Sequence, residues 1–350
     1  MILCKTCVMP NTRPDTPFTD GECSACISHK NRPNIDWDAR KEQLLNLLDK
    51  HHGQVIVPSS GGKDSTYQVL TLLELGADVT IVTATTCHLT DIGRKNIENL
   101  ARYARTIEVS PNKTVRAKLN KLGLSLVGDI SWPEHVSIFT TPFKMAKALG
   151  INLIMYGENP QSHYGGPEGS DQAFQLTTRW RSEFGGFLGL RPSDMIGQLG
   201  ITVRDMKDYE LPIDLTGIEA HFLGQYIPWD SDRNAQIAIG HGMSLFKPFY
   251  NSGEDVPARA NWWVAENLDN AQTGIHDLFG YLKYGYGRGC AQISVDIRNK
   301  IISREDALKW VKDNDGLYPS EYMGVSLEEI LDRIDVSQEE FDEYCKIYAG

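Results

Sequence analysis

Between residues 54 and 156, short apolar runs alternate with longer stretches in which apolar positions recur every three or four residues. The runs are QVIVP at 54–58, VTIVTA at 79–84, TIEV at 106–109 and INLIMY at 151–156. Each has the length and composition of a strand buried on both faces. The intervening segments predict helices over 64–75, 92–103, 111–121 and 133–149, and an earlier helix over 36–52 carries Trp37, Leu44, Leu47 and Leu48 on one stripe. Strands alternating with helices predict an α/β fold with a parallel, doubly wound sheet, which presents ligands beyond the C-terminal ends of its strands.

The pattern changes after Gly157. Residues 158–200 are rich in glycine and aromatic side chains (NPQSHYGGPEGSDQ, RWRSEFGGFLGLRP), the composition of an elaborated binding region. AHFLGQYIP at 220–228 is strand-like, and the last third is predicted to be mainly helical, with Ser-x-x-acid starts at Ser303/Asp306, Ser326/Glu329 and Ser337/Glu340. No apolar run approaches the ~18–20 residues that cross a bilayer. The start, MILCKTCVMPNTRPD, lacks the basic-then-apolar order of a signal peptide. The expectation is a cytoplasmic protein without a membrane partner.

Charge narrows the partners. Against 46 Asp+Glu stand 35 Lys+Arg, a net −11, which argues against nucleic acid as the partner because phosphate binding needs clustered cations. Four of the seven cysteines form Cys4-x2-Cys7-x15-Cys23-x2-Cys26. Two such pairs each place two thiolates on one turn, and two turns complete a tetrahedron around zinc. Disulfides, redox use and an iron–sulfur cluster compete for the same spacing. Four cysteine ligands leave zinc no open position, so a folding role is expected, and Pro10, Pro14 and Pro17 suit a loop-rich segment nucleated by metal. Cys87, Cys290 and Cys345 are scattered.

The most informative stretch is Ser60-Gly61-Gly62-Lys63-Asp64-Ser65, between a predicted strand and a predicted helix. Two glycines let the backbone curl around phosphate oxygens, the helix N-terminus adds its positive end, and Ser60 and Ser65 supply hydroxyls. It is not a Walker loop, because Asp follows the lysine and Val57 stands at the first glycine position. It resembles the SGGxDS loop of the PP-loop (N-type ATP pyrophosphatase) superfamily, an adenine nucleotide alpha-hydrolase-like fold. That resemblance implies a grip on the β,γ-pyrophosphate of ATP, with chemistry at the α-phosphorus. It also implies adenine held at the strand end Thr83, Ala84 and Thr85. Lys63 is expected to supply charge and Asp64 to position Mg2+; at the end of the strand over 151–156, Gly157-Glu158-Asn159, Glu158 is expected to join Asp64 on the metal and Asn159 to donate to substrate. Three regions follow: a zinc-binding segment over 1–35, an ATP-binding α/β domain over 36–215, and a mainly helical substrate-binding region over 216–350.

Four separated blocks, KTCVMPNTRPDTPFTDGECSAC, SGGKDS, YGENPQSHYGG and ENLDNAQTGIHDLFGYLKYGYGRGCAQISVDIRNKIISREDAL, resemble the bacterial N-acetyl sugar amidotransferase family of lipopolysaccharide and nonulosonic-acid biosynthesis. The resemblance implies an AMP-forming enzyme that turns an N-acetyl group of a sugar acid or nucleotide sugar into an acetamidino group. Residue 2 is Ile rather than Cys, and no stretch remains for a Cys-His-Glu glutaminase, so ammonia is expected free or from a partner; the resemblance implies a glutaminase–synthase pair resembling HisH and HisF. Candidate sugar contacts are His163 and Tyr164 in the glycine-rich loop, and His276, Lys283, Arg288 and Arg298 in the last block; Arg forks suit a carboxylate or diphosphate. Trp262 and Trp263 read as core or domain seam. A tRNA-thiolating PP-loop enzyme is the rival reading, and a zinc-bearing scaffold without turnover is a third.

Overall fold

The computed structural model describes residues 1–167, 169–246 and 262–349. A small antiparallel hairpin, β1 (Phe18–Thr19) and β2 (Glu22–Cys23), leads into α1 (Ser24–Lys30). Helix α2 (Trp37–Lys50) follows, its first turn capped by the Asp36 carboxylate, which accepts from Ala39 N.

The centre is a five-stranded parallel sheet in the order β5-β4-β3-β6-β7, formed by β3 (Gln54–Pro58), β4 (Asp78–Ala84), β5 (Arg105–Val109), β6 (Leu153–Tyr156) and β7 (Glu219–Phe222). Alternate residues feed opposite faces. Val55, Val57 and Ile81 pack with Leu44, Leu48, Val69 and Leu72 on one side, whereas Ile56, Val82 and Ile154 meet Phe143, Ala146 and Phe222 on the other. Burial on both faces is why these strands read as continuous apolar runs.

Helices α3 (Lys63–Glu74), α4 (Asp91–Leu100), α5 (Lys113–Val127), α6 (Trp132–Ile138) and α7 (Thr141–Leu149) cover the sheet. The single helix expected over 133–149 is two. Pro142, in the first turn of α7, has no N–H to continue a preceding helix, and the chain breaks after Ile138. Helix α5 runs a turn and a half beyond the expected residue 121, to Val127, because its stop signal is Gly128 in the left-handed conformation (φ +60°).

The strand expected over 220–228 is only β7, and the sheet therefore continues past residue 215. A 3-10 turn at Leu223–Gln225 ends it, with Gly224 N donating to Gly157 O at 3.1 Å and Gly224 lying against Trp229. This turn ties the last strand to the binding loop of β6.

Between β6 and β7 lie the short helices α8 (Pro160–Tyr164), α9 (Thr178–Phe184) and α10 (Val203–Met206). Helix α11 (Ser231–Gly240) then packs along α3. The C-terminal region holds α12 (Thr273–Tyr284), α13 (Arg288–Arg298), α14 (Arg304–Asn314), the hairpin β8 (Glu321–Tyr322) and β9 (Val325–Ser326), α15 (Leu327–Asp332) and α16 (Gln338–Tyr348). Ser303, Ser326 and Ser337 cap α14, α15 and α16 as their spacing predicts. This region shares a core with the α/β half: Leu124 and Ile130 pack against Ile275, Leu278, Phe279, Ile330 and Phe341. No helix among the described residues is long and apolar enough to cross a membrane.

Candidate active site

The SGGKDS loop joins the central strand β3 to α3. Gly61 has φ +79°, and a Cβ there would lie 2.7 Å from Ile97 N and 2.8 Å from Asn96 C, so only glycine lets the loop approach α4 this closely. Ser59, which the sequence reading passed over, shapes the turn: its Oγ accepts from Gly61 N at 2.9 Å and donates to Ser65 Oγ at 2.8 Å. Helix α3 begins at Lys63 with Gly62 as its N-cap and no side chain bonded to its first turn, leaving N–H groups for an anion.

Lys63 is buried, and its ammonium lies 2.9 Å from Glu266 and from Ser231 Oγ while also pairing with Asp64. Burial opposes that charge, but Glu266, Asp64 and Glu158 outweigh it and raise the group above the ordinary lysine range. Asn234 donates to Asp64 Oδ1 at 3.0 Å. Ser231 and Asn234 belong to α11, and Glu266 lies far along the chain; nothing in the local pattern marked any of them.

The loop lines a cavity of about 410 Å³, together with Ala84, Gly157, Glu158 and Arg288. Burial, then the nearby Asp64 carboxylate, pushes Glu158 up to about 7. Two neighbouring carboxylates at the mouth of the glycine-rich loop fit a divalent cation, which would neutralise both. Of the strand-end trio, Ala84 faces the cavity; Thr83 is buried within the sheet and Thr85 Oγ1 pairs with Ser110 Oγ at 2.7 Å. Asn159 is a helix cap here: it accepts from Gln161 N at 3.1 Å and donates to Ser170 O at 2.7 Å. Its burial holds the loop rather than presenting an amide to the cavity.

A second cavity, about 300 Å³, adjoins the first, and Tyr164 and Arg288 line both. It contains Arg13, Asp129, His276 and Lys283. Arg288 is held by Asp277, with Nε 2.9 and 3.0 Å from the two carboxylate oxygens, and Lys283 Nζ donates to Val127 O at 3.1 Å. His276 turns away from its neighbour Asp277 and pairs with Asp129, Nδ1 to Oδ1 2.8 Å. The structure thus brings Tyr164, His276, Lys283 and Arg288 together. Arg298 sits apart, in a third cavity beside Trp262 and Asp296. Trp262 and Trp263 are anchored to α13 through their indole N–H groups, which donate to Asp296 at 2.6 and 3.0 Å. The side chain of His163 lies outside the described residues.

At the wall of the first cavity, which Glu134 lines, is a buried ion pair that the sequence did not reveal. Arg116 Nη1 lies 3.0 Å from Glu134 Oε1 and 3.3 Å from Thr85 O; its other nitrogens reach Tyr209 Oη (2.9 Å) and Ser137 Oγ (2.7 Å). Glu134 also accepts from Cys87 N at 3.1 Å and from Asn120 at 2.8 Å, so every side of the pair is bonded. It fixes the turn after β4, the strand end that borders the first cavity.

At the N-terminus, Cys4, Cys7, Cys23 and Cys26 are buried with their sulfurs all within 4.8 Å of one another; Cys4–Cys26 is 3.8 Å and Cys7–Cys23 3.7 Å. Thiolates bound ~2.3 Å from one zinc lie about 3.8 Å apart at a tetrahedral edge, so the cluster fits that ion. Cys23 N points at Cys4 Sγ (3.3 Å) and Met9 N at Cys7 Sγ (3.5 Å). Arg304 of α14 reaches Cys4 O (3.0 Å) and Cys7 O (3.0 Å), docking the knuckle on the C-terminal helices. Cys87, Cys290 and Cys345 are free and outside this cluster.

The fold is an α/β protein with a five-stranded parallel sheet, in which SGGKDS joins the central strand to the next helix, the placement expected of a PP-loop. Residues 244–349 match the family described as "LPS biosynthesis protein WbpG-like, C-terminal domain". No curated protein matches the chain. Among solved structures, an NH3-dependent NAD synthetase from Campylobacter jejuni is similar at 15% identity and a TM-score of 0.31, covering 46% of this chain and 81% of that one. An NMN synthetase from Francisella tularensis is similar at 9% identity and a TM-score of 0.34, covering 88% of this chain and 97% of its own. Both superpositions are loose; strand order and loop position define the fold here.

Proposed function

We propose that the chain is an ATP-dependent, AMP-forming amidotransferase that converts the N-acetyl group of an acidic bacterial surface-polysaccharide sugar to an acetamidino group, with ammonia from a separate glutaminase partner. The observation that carries this reading is the shared wall: a phosphate-loop cavity and a second cavity with Arg13, Lys283 and Arg288 meet at Tyr164 and Arg288. One side suits a triphosphate and the other an anionic sugar, so an acetamido group at the junction can reach an α-phosphorus.

In this reaction the acetamido oxygen attacks the α-phosphorus, its N–H proton departs and pyrophosphate leaves, giving an O-adenylyl imidate. Ammonia adds to the imidate carbon, and the C–O bond breaks to release AMP and the amidine. The oxygen is a weak nucleophile, so the rate depends on stabilising charge on the departing phosphates. Lys63, held charged by Asp64 and Glu266, and the N–H groups of the loop and of α3 supply that stabilisation. Asp64 and Glu158 would hold Mg2+, which supplies Lewis-acid neutralisation of phosphate charge. Desolvation around Tyr164 and Arg288 protects the imidate from water.

The test is mass spectrometry of products after the purified chain is mixed with ATP, Mg2+, ammonium chloride and a panel of N-acetylated sugar acids and nucleotide sugars. AMP with a sugar lighter by about one mass unit, NH in place of O, is the expected outcome. Glutamine alone should not support turnover. AMP formed with no sugar change anywhere in the panel would overturn the reading and turn attention to tRNA with a sulfur donor.

A further inference from the structure

Three residues in the second cavity come from three different elements: Asp129 follows the left-handed stop of α5, His135 lies on α6 and His276 on α12. Each offers one ligand atom, and these atoms lie within 4.8 Å of one another. His276 Nδ1 is 2.8 Å from Asp129 Oδ1, which also accepts from Ser131 N at 2.9 Å. His135 Nδ1 is 3.1 Å from Asp129 Oδ2 and buried, yet it is not aligned for a hydrogen bond with that oxygen or any other. Two imidazole nitrogens, at 2.8 and 3.1 Å, thus converge on the two oxygens of one buried carboxylate, the geometry of three ligands arranged about one ion.

We propose that Asp129, His135 and His276 form a second metal site, for a divalent first-row transition ion such as Zn2+. Two imidazoles and one carboxylate are the donor set such ions prefer, at ~2.0–2.2 Å. The site differs in kind from the cysteine knuckle. Three protein ligands leave a position open, and the cluster borders a cavity of about 300 Å³, so an oxygen of a bound molecule can complete the coordination. If the proposed function holds, that oxygen belongs to the acidic sugar; metal binding itself does not rest on that reading.

The surrounding backbone is built to hold the ligands. Gly186, at φ +75°, lies against the His135 ring, and a Cβ there would be 2.9 Å from Nδ1. Gly123 plays the same part for Asp129, since its Cβ would meet Asp129 O at 2.5 Å. The imidazoles of His135 and His276 stand edge to face with centroids 5.3 Å apart. Two ligands on helices and one at the turn joining α5 to α6, locked by packing, are preorganised for an ion.

The test is titration of the folded, full-length protein, carrying one zinc equivalent per chain in its cysteine knuckle, with Co2+, followed by visible absorption. Cobalt at this site should give saturable ligand-field bands at one added equivalent, without the near-ultraviolet thiolate charge transfer that marks cysteine ligation. Those bands should be lost in His135→Ala and in His276→Gln, with circular dichroism unchanged. Excess Zn2+ should displace the cobalt from the wild type, a readout that needs no variant. Absence of saturable bands in the wild type, bands accompanied by thiolate charge transfer, or bands undiminished in folded variants would each overturn the site and leave a hydrogen-bonded His–Asp–His cluster.

Discussion

The SGGKDS loop and the cavity behind Tyr164 both gather charge in a partly enclosed space, and they are assembled in opposite ways. The loop uses consecutive residues, 60–65, whose backbone supplies much of the chemistry. The second cavity draws Arg13 from the N-terminal knuckle, Asp129 and His135 from the α/β half, and His276, Lys283 and Arg288 from the C-terminal helices. A site made by local backbone geometry leaves a motif. A site made by packing leaves only ordinary residues at unrelated positions.

The difference predicts how each region fails. In the loop, damage should be chemical and sharp. Lys63→Met should cut AMP formation about 1,000-fold, near 4 kcal/mol of transition-state stabilisation. Single-turnover release of AMP measures this, and a variant retaining a tenth of the rate would show that the backbone alone does the work.

Where packing rather than a motif builds the wall of the first cavity, at the Glu134–Arg116 pair, damage should appear first as lost stability. Glu134→Gln leaves the Arg116 guanidinium buried without its counter-charge, at a cost of about 3–5 kcal/mol. A drop in the urea midpoint with unchanged slope is the expected signature. An unmoved midpoint would mean that the remaining bonds to Tyr209, Ser137 and Thr85 suffice for Arg116.

The smallest effect concerns pH. Asp315 accepts from Gly287 N (2.8 Å) and Cys290 N (3.3 Å) at the start of α13, and burial pushes its carboxyl up to about 6. The folded state then holds this proton more tightly than the unfolded state, whose carboxyl titrates near 3.8. Its contribution is full below about pH 4 and is lost as pH rises through 6, by up to about 3 kcal/mol. Wild-type stability measured against Asp315→Asn should therefore fall between pH 4 and 7. A difference that stays flat across that range would remove Asp315 from the pH response.

Much of the fold was legible because its signals are local. Strands buried on both faces must be apolar throughout, and caps such as Asp36, Ser303, Ser326 and Ser337 act within one turn. The misreadings were local signals that context overrode. AHFLGQYIP has strand composition, but only its first residues pair with β6 before the turn against Trp229 takes over. Asn159 has the chemistry of a substrate donor, but its amide is committed to α8 and Ser170. Glu266, Ser231 and Asn234 were invisible because they reach Lys63 and Asp64 only through the packing of α11 and the C-terminal region.

By itself the sequence determined the α/β sheet, the glycine-rich turn of residues 60–65 and the four-cysteine cluster, since strand burial, glycine-dependent turns and paired-cysteine spacing are all properties of short segments. Tertiary structure alone decided which carboxylates surround Lys63, that Tyr164 and Arg288 stand between two cavities, and that Asp129 faces two histidines. The reason is physical: a buried charge is held by whatever groups packing brings within about 3 Å, and packing is blind to distance along the chain.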